Sequence, residues 1–232
     1  MARGAAPEPE SAASRPMAAQ AARAPVVMVI GDSFTVGSGP VARWESYASV
    51  AARELGWQPI IAGMGGTGYV NPGRVGRTFE DAFVQELAWR PAPDLLVVSG
   101  GHNDRRTRPG EVRRAAARLL RLVGGHWPRT RVVVVGPLWM TDAPDWAHQV
   151  RDAVALAAGE AGVTFLDPLG LSWGRDAVLP DGVHPTSEGH ARIARWLVGA
   201  LRENGLPGDV LGGPQGGGAG GRPMAPAARP RG

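Results

Sequence analysis

The chain contains no cysteine and no lysine. The first absence excludes disulfides, a thiol nucleophile, iron–sulfur clusters and thiolate zinc sites. The second removes the phosphate lysine of a P-loop, a Schiff base to pyridoxal phosphate and a Ser–Lys dyad. Nowhere is there a run of about 18 apolar residues, so no segment reads as a transmembrane helix. Residues 1–24 also lack the apolar stretch that a signal peptide needs, which sets a cytoplasmic location as the expectation. What chemistry remains must come from Ser, Thr, His, Asn, carboxylates and the main chain. Five histidines, at positions 102, 126, 148, 184 and 190, are the available bases of moderate pKa.

Charge is unevenly spread. All 25 basic residues are arginine, and with 21 acidic residues the formal net charge is +4. Residues 25–206 hold 19 arginines and 18 acids and are nearly neutral. A near-neutral central region argues against a nucleic-acid groove, which leaves a concentrated basic face. The two ends, 1–24 and 207–232, are dominated by Ala, Pro, Gly and Arg. Such segments bury too little apolar surface to offset their ordering entropy. Both read as disordered tails around one domain, 25–206.

Within that domain short apolar runs alternate with longer helical patterns. Strands are expected at Val26–Gly31, Pro59–Gly63, Asp94–Ser99, Arg131–Gly136 and Val163–Asp167. Each is almost continuously apolar, as strands buried on both faces of a parallel sheet are. Helices are expected at Trp44–Leu55, Thr78–Trp89, Glu111–Val123, Trp146–Ala158 and Glu188–Leu201. In Glu111–Val123 the apolar residues share one face, and Arg113, Arg114, Arg118 and Arg121 cover the other as a solvated stripe. Five strand–helix units give an open, doubly wound α/β domain.

Ligands of such sheets meet the carboxyl ends of the strands. The ends carry Gly31-Asp32-Ser33-Phe34 after the first strand and Gly63-Met64-Gly65-Gly66-Thr67-Gly68 after the second. Gly100-Gly101-His102-Asn103-Asp104 follows the third, and Asp181-Gly182-Val183-His184-Pro185 precedes the last helix. The glycine-rich run also suits a phosphate loop, but it follows the second strand rather than the first. Trp139, Met140, Trp146 and Trp173, near the loops after the fourth and fifth strands, suit either an acyl or sugar pocket or plain aromatic cover.

GDSF, GMGGTG, GHND and DGVHP, in that order and each at such a position, resemble the four sequence blocks of the SGNH (GDSL-type) hydrolases. The resemblance spans roughly Val26 to Arg202. It implies a flavodoxin-like, three-layer α/β/α fold with a five-stranded parallel sheet of order 2-1-3-4-5. It also implies a serine esterase site needing no cofactor or metal. Ser33 matches the nucleophile, His184 the base and Asp181 the acid that orients it. With the first strand between the second and third, Ser33 lies about 5 Å from both neighbouring strand ends. The oxyanion hole would then be the N–H groups of Ser33 and Gly66, with Gly65 the other choice, and the Asn103 side chain. Ile61 or Ala62 stands where many members of the family begin the second block with Asn.

The expected activity is hydrolysis of a small-molecule or carbohydrate carboxylic ester through an acyl-enzyme. Transfer of the acyl group to a sugar hydroxyl is the alternative on the same site. A catalytically silent glycan- or partner-binding domain is the alternative from another class. Asp32 and Asp104 are expected to hold their own turns, and His190 to be structural. His102 reads equally as a substrate contact or a loop histidine. His126 and His148 have no acidic partners at ligand spacing.

Overall fold

The computed structural model describes residues 23–205; nearly all of both expected tails lies outside them. The strands form as the apolar runs dictate: β1 Val26–Gly31, β2 Gln58–Gly63, β3 Leu95–Ser99, β4 Arg131–Val135 and β5 Thr164–Leu166. Every boundary falls within one residue of expectation. The strands make one parallel sheet of order β2-β1-β3-β4-β5. The start of β1 is pinned by Asp94, which binds the Arg23 guanidinium through two bonds and accepts the Val26 N–H at 2.8 Å.

Alternate residues of the central strands feed two cores. Val27, Val29, Leu95, Val97, Val133 and Val135 pack under α2 (Tyr47–Glu54) and α6 (Ser187–Glu203) on one face. Met28, Ile30, Leu96, Val98 and Val134 face α4 (Pro109–His126) and α5 (Asp145–Glu160) on the other. Both faces are covered, giving the three-layer α/β/α arrangement that an all-parallel sheet requires. On the outer face of α4, Arg113 pairs with Glu160 and Arg118 with Glu80.

Two helices depart from expectation. Trp44–Leu55 is interrupted at Ser46, which ends a 3₁₀ turn (Arg43–Glu45) and caps α2 through its hydroxyl. Thr78–Trp89 splits into one α turn, α3 (Phe79–Ala82), and a π-helical turn (Phe83–Leu87). The wider turn brings Phe79, Phe83 and Leu87 onto one line, and all three are buried against the sheet. A short helical turn that the sequence did not suggest, α1 (Ser33–Val36), follows β1 directly.

Candidate active site

β1 ends at Gly31, level with Gly63 of β2 and Ser99 of β3. Neighbouring strands lie about 4.8 Å apart, so the segments after these residues leave the sheet side by side. Asp32 turns the chain at the centre. Its Oδ1 accepts the Phe34 N–H at 3.0 Å and caps α1, of which Ser33 is the first residue. The expectation that Asp32 holds its own turn is met.

The Ser33 hydroxyl lies 3.0 Å from His184 Nε2. On the other side of the ring, His184 Nδ1 donates to Asp181 Oδ2 at 2.6 Å. Asp181 Oδ1 also accepts the main-chain N–H groups of Val183 at 2.9 Å and His184 at 3.0 Å. A carboxylate accepting at i+2 and i+3 builds the turn that brings it to its own imidazole. That turn is fixed at its base by a bridge between Val178 and Pro185 and by Thr186 N–H donating to Ala177 O at 2.9 Å. The bond to His184 above all holds the Asp181 carboxyl down at about 2, against the opposing effect of burial and with a smaller contribution from the two main-chain bonds. Ionised, it keeps the proton on Nδ1 and leaves the Nε2 lone pair toward Ser33. Such an arrangement can draw a proton from the hydroxyl.

The third and second strand ends are knitted together beside Ser33. Asn103, in the 3₁₀ turn His102–Asp104, donates from Nδ2 to Thr67 O at 2.9 Å. The same nitrogen lies 3.4 Å from Asp32 Oδ2, a long contact. Asn71 Nδ2 returns a bond to Asn103 O at 2.9 Å. Asp104 does not serve its own turn, as the sequence suggested. Its buried carboxyl reaches across to the N–H groups of Tyr69, Val70 and Asn71, at 2.9, 3.0 and 2.8 Å. That clamp requires Gly68, where a Cβ would stand 2.5 Å from Asp104 Oδ2 and 2.7 Å from Oδ1.

Gly66 adopts φ +82°, which side chains rarely tolerate, and a Cβ at Gly65 would lie 3.8 Å from that of Ser33. The N–H groups of Ser33, Gly65 and Gly66 have no acceptor among the described residues. Asp32, 2 % exposed, is pushed up to about 7, first by burial and then by the Asp104 charge, against the Phe34 N–H that lowers it.

An aromatic wall flanks Ser33. His102 stacks on Trp139 with centroids 4.8 Å apart, and Trp146 meets both rings edge-on. Phe34 lies between His102 and His184, 5.4 and 5.7 Å from them. Burial, with the charges of His184 and Arg105, lowers the His102 imidazole to about 4, so it stays neutral. Met140 and Trp173 line a separate cavity of about 710 Å³ that also touches Asp142, His148, Arg175 and Val178. His190 lies buried beneath the site and accepts the Tyr47 N–H at Nδ1, a structural position. Among the described residues no group of three or more His, Cys, Asp or Glu could hold a metal ion.

Residues 29–192, which carry all of these segments, match the family of GDSL-like lipases and acylhydrolases. The chain belongs to that family. Over 181 residues it is 31% identical to a GDSL lipase of Mycobacterium tuberculosis, covering 72% of this chain and 78% of that one. Among solved structures, TesA superposes with a TM-score of 0.64 at 17% identity, over 77% of this chain and 98% of its own. A family two carbohydrate esterase from Clostridium thermocellum, solved with cellohexaose, gives a TM-score of 0.67 at 17% identity. The match covers 80% of this chain, which spans 66% of that esterase. This GDSL-type hydrolase is therefore a serine ester hydrolase by family, on the α/β/α fold those structures share.

Proposed function

We propose that Ser33, His184 and Asp181 form the catalytic triad of a carboxylic ester hydrolase. The observation that carries this reading is the unbroken chain Ser33 Oγ to His184 Nε2 to Asp181, at 3.0 and 2.6 Å. Ser33 Oγ bonds to the ester carbonyl carbon while its proton passes to His184 Nε2. The developing oxyanion takes the N–H groups of Ser33 and Gly66, which have no other acceptor among the described residues. It also takes the Asn103 N–H whose contact with Asp32 is long. As the tetrahedral species collapses, the alkoxide leaves with the proton from His184. Water then attacks the acyl carbon and gives one proton to His184, and as the Ser33 ester bond breaks Ser33 takes that proton while the carboxylic acid departs and ionises in solvent.

The aromatic wall of His102, Trp139 and Trp146 supports an acyl or sugar group beside the reacting carbon. The same acyl-enzyme can pass its acyl group to a sugar hydroxyl in place of water, so turnover is measured with and without a sugar acceptor.

A fluorophosphonate probe tests the assignment. It should bond to Ser33 and abolish turnover of an activated acetate ester. A still-active enzyme with no adduct on Ser33 overturns the triad. Ser33→Ala and His184→Ala should each lose roughly 10³-fold or more in kcat, and the double variant little further, because the pair acts as a unit.

A further inference from the structure

Directly after Asn103 and Asp104 the chain places three arginines within four residues: Arg105, Arg106 and Arg108. They lie outside the helical stripe of α4. Arg105 and Arg106, with Asn71, Asn103 and Thr107, line a cavity of about 380 Å³. Elsewhere on the surface Arg77, Arg113, Arg118, Arg151, Arg192 and Arg195 each pair with an acid. Arg105 and Arg106 make no hydrogen bond or ion pair among the described residues. The acid nearest in sequence, Asp104, is buried and committed to three main-chain N–H groups. The charge of Arg105 nevertheless reaches inward, since it is one of those that disfavour protonation of His102 in the aromatic wall.

Two guanidinium groups with no acid paired to them thus line this cavity, with the Asp104 carboxyl behind its Val70–Asn71 wall, and the cavity shares Asn103 with the proposed oxyanion hole. Guanidinium groups present planar forks that match carboxylate, phosphate and sulfate oxygens. We propose that Arg105 and Arg106 form an anion-recognition subsite, which takes a negatively charged oxygen group carried by the ester a few bonds from the scissile carbonyl. The subsite rests on the reading of Asn103 as a group beside that carbonyl. It selects acidic esters over neutral ones of equal size, and inorganic phosphate occupies it weakly in their absence.

Matched nitrophenyl esters test this with the full chain. One pair, butyrate against hemisuccinate, puts the charge on the acyl side. The other, nitrophenyl acetate against its ring-carboxylated analogue, puts it on the leaving group. In the wild type one charged ester should exceed its neutral partner about 10-fold in kcat/KM at low salt, and the advantage should vanish near 0.5 M salt. The pair that shows the effect identifies the side of the ester that enters the cavity. In Arg105→Gln/Arg106→Gln the charged-to-neutral ratio should approach one, with the change in KM. Inorganic phosphate should compete with the neutral ester in the wild type and lose that effect in the variant. Should the double variant not fold, Arg105→Gln and Arg106→Gln singly carry the same comparison, each lowering the ratio about 3-fold.

The proposal is overturned by a wild type that prefers neither charged ester, or by a preference that survives both substitutions. Failure of the triad reading looks different: no turnover of the neutral esters by the wild type and no adduct on Ser33.

Discussion

Asp32→Asn is expected to remove a pH dependence of stability that the wild type carries from acid to neutral pH. Asp32 is 2 % exposed, and its carboxyl is raised from 3.8 to about 7. In the unfolded chain the group titrates near 3.8; in the native state it keeps its proton until about pH 7. Between those values the native state binds more protons than the unfolded one, so stability falls as pH rises. A shift of about three units corresponds to about 4 kcal/mol, with a slope no steeper than about 1.4 kcal/mol per pH unit. Below about pH 4 and above about pH 7 this group contributes no further slope. The carboxamide introduced by the substitution keeps an oxygen for the Phe34 N–H and carries no charge. Urea unfolding of both proteins at intervals from pH 4 to pH 8 gives the difference in stability, from which the titrations common to both largely cancel. That difference should move in favour of the variant by about 3–4 kcal/mol across the window. A flat difference would show that Asp32 ionises normally in the native state, and the account of its burial would be wrong.

Asn103→Ala should lower kcat about 10²–10³-fold with little change in KM, since the oxyanion forms only as charge develops. Steady-state kinetics decide this, and an unchanged kcat with a raised KM would make Asn103 a ground-state contact. Asn103→Asp should be at least as damaging, because a carboxylate offers no donor. Gly68→Ala should displace the Asp104 carboxyl from its three N–H groups and cost at least about 2 kcal/mol in urea unfolding. Wild-type stability in that variant would mean that the loop accommodates a Cβ at no expense to the clamp.

The sheet was legible because its strands are buried on both faces, and continuous apolar runs such as Val26–Gly31 need no partner to be recognised. Ser33, Gly66 and Asn103 follow strand ends and Asp181 and His184 precede the last helix, and the resemblance of those four blocks to the GDSL-type hydrolases is what marked them. What the sequence left hidden depends on contacts between distant segments. Asp104 looked like a turn residue because short acidic side chains often serve their own turn. Its three partners lie 33 to 35 residues away. The stack of His102 on Trp139 likewise depends on β3 and β4 being neighbours. The π turn at Phe83–Leu87 has helical apolar spacing, and only the packing of Phe79, Phe83 and Leu87 against the sheet distinguishes it.

The turn at Asp181–His184 has a consequence for how this enzyme loses activity on warming. Asp181 and His184 are joined by bonds internal to four residues and travel together. Only one bond among those described, 3.0 Å long, joins this turn to Ser33. Ser33 sits on the carboxyl edge of the sheet, whereas the turn hangs from a hairpin closed by Val178 and Pro185. Small displacements of that hairpin open the one joint while leaving both cores packed. Inactivation on heating should accordingly precede unfolding, and it should reverse on cooling, because the separated parts each retain their internal order.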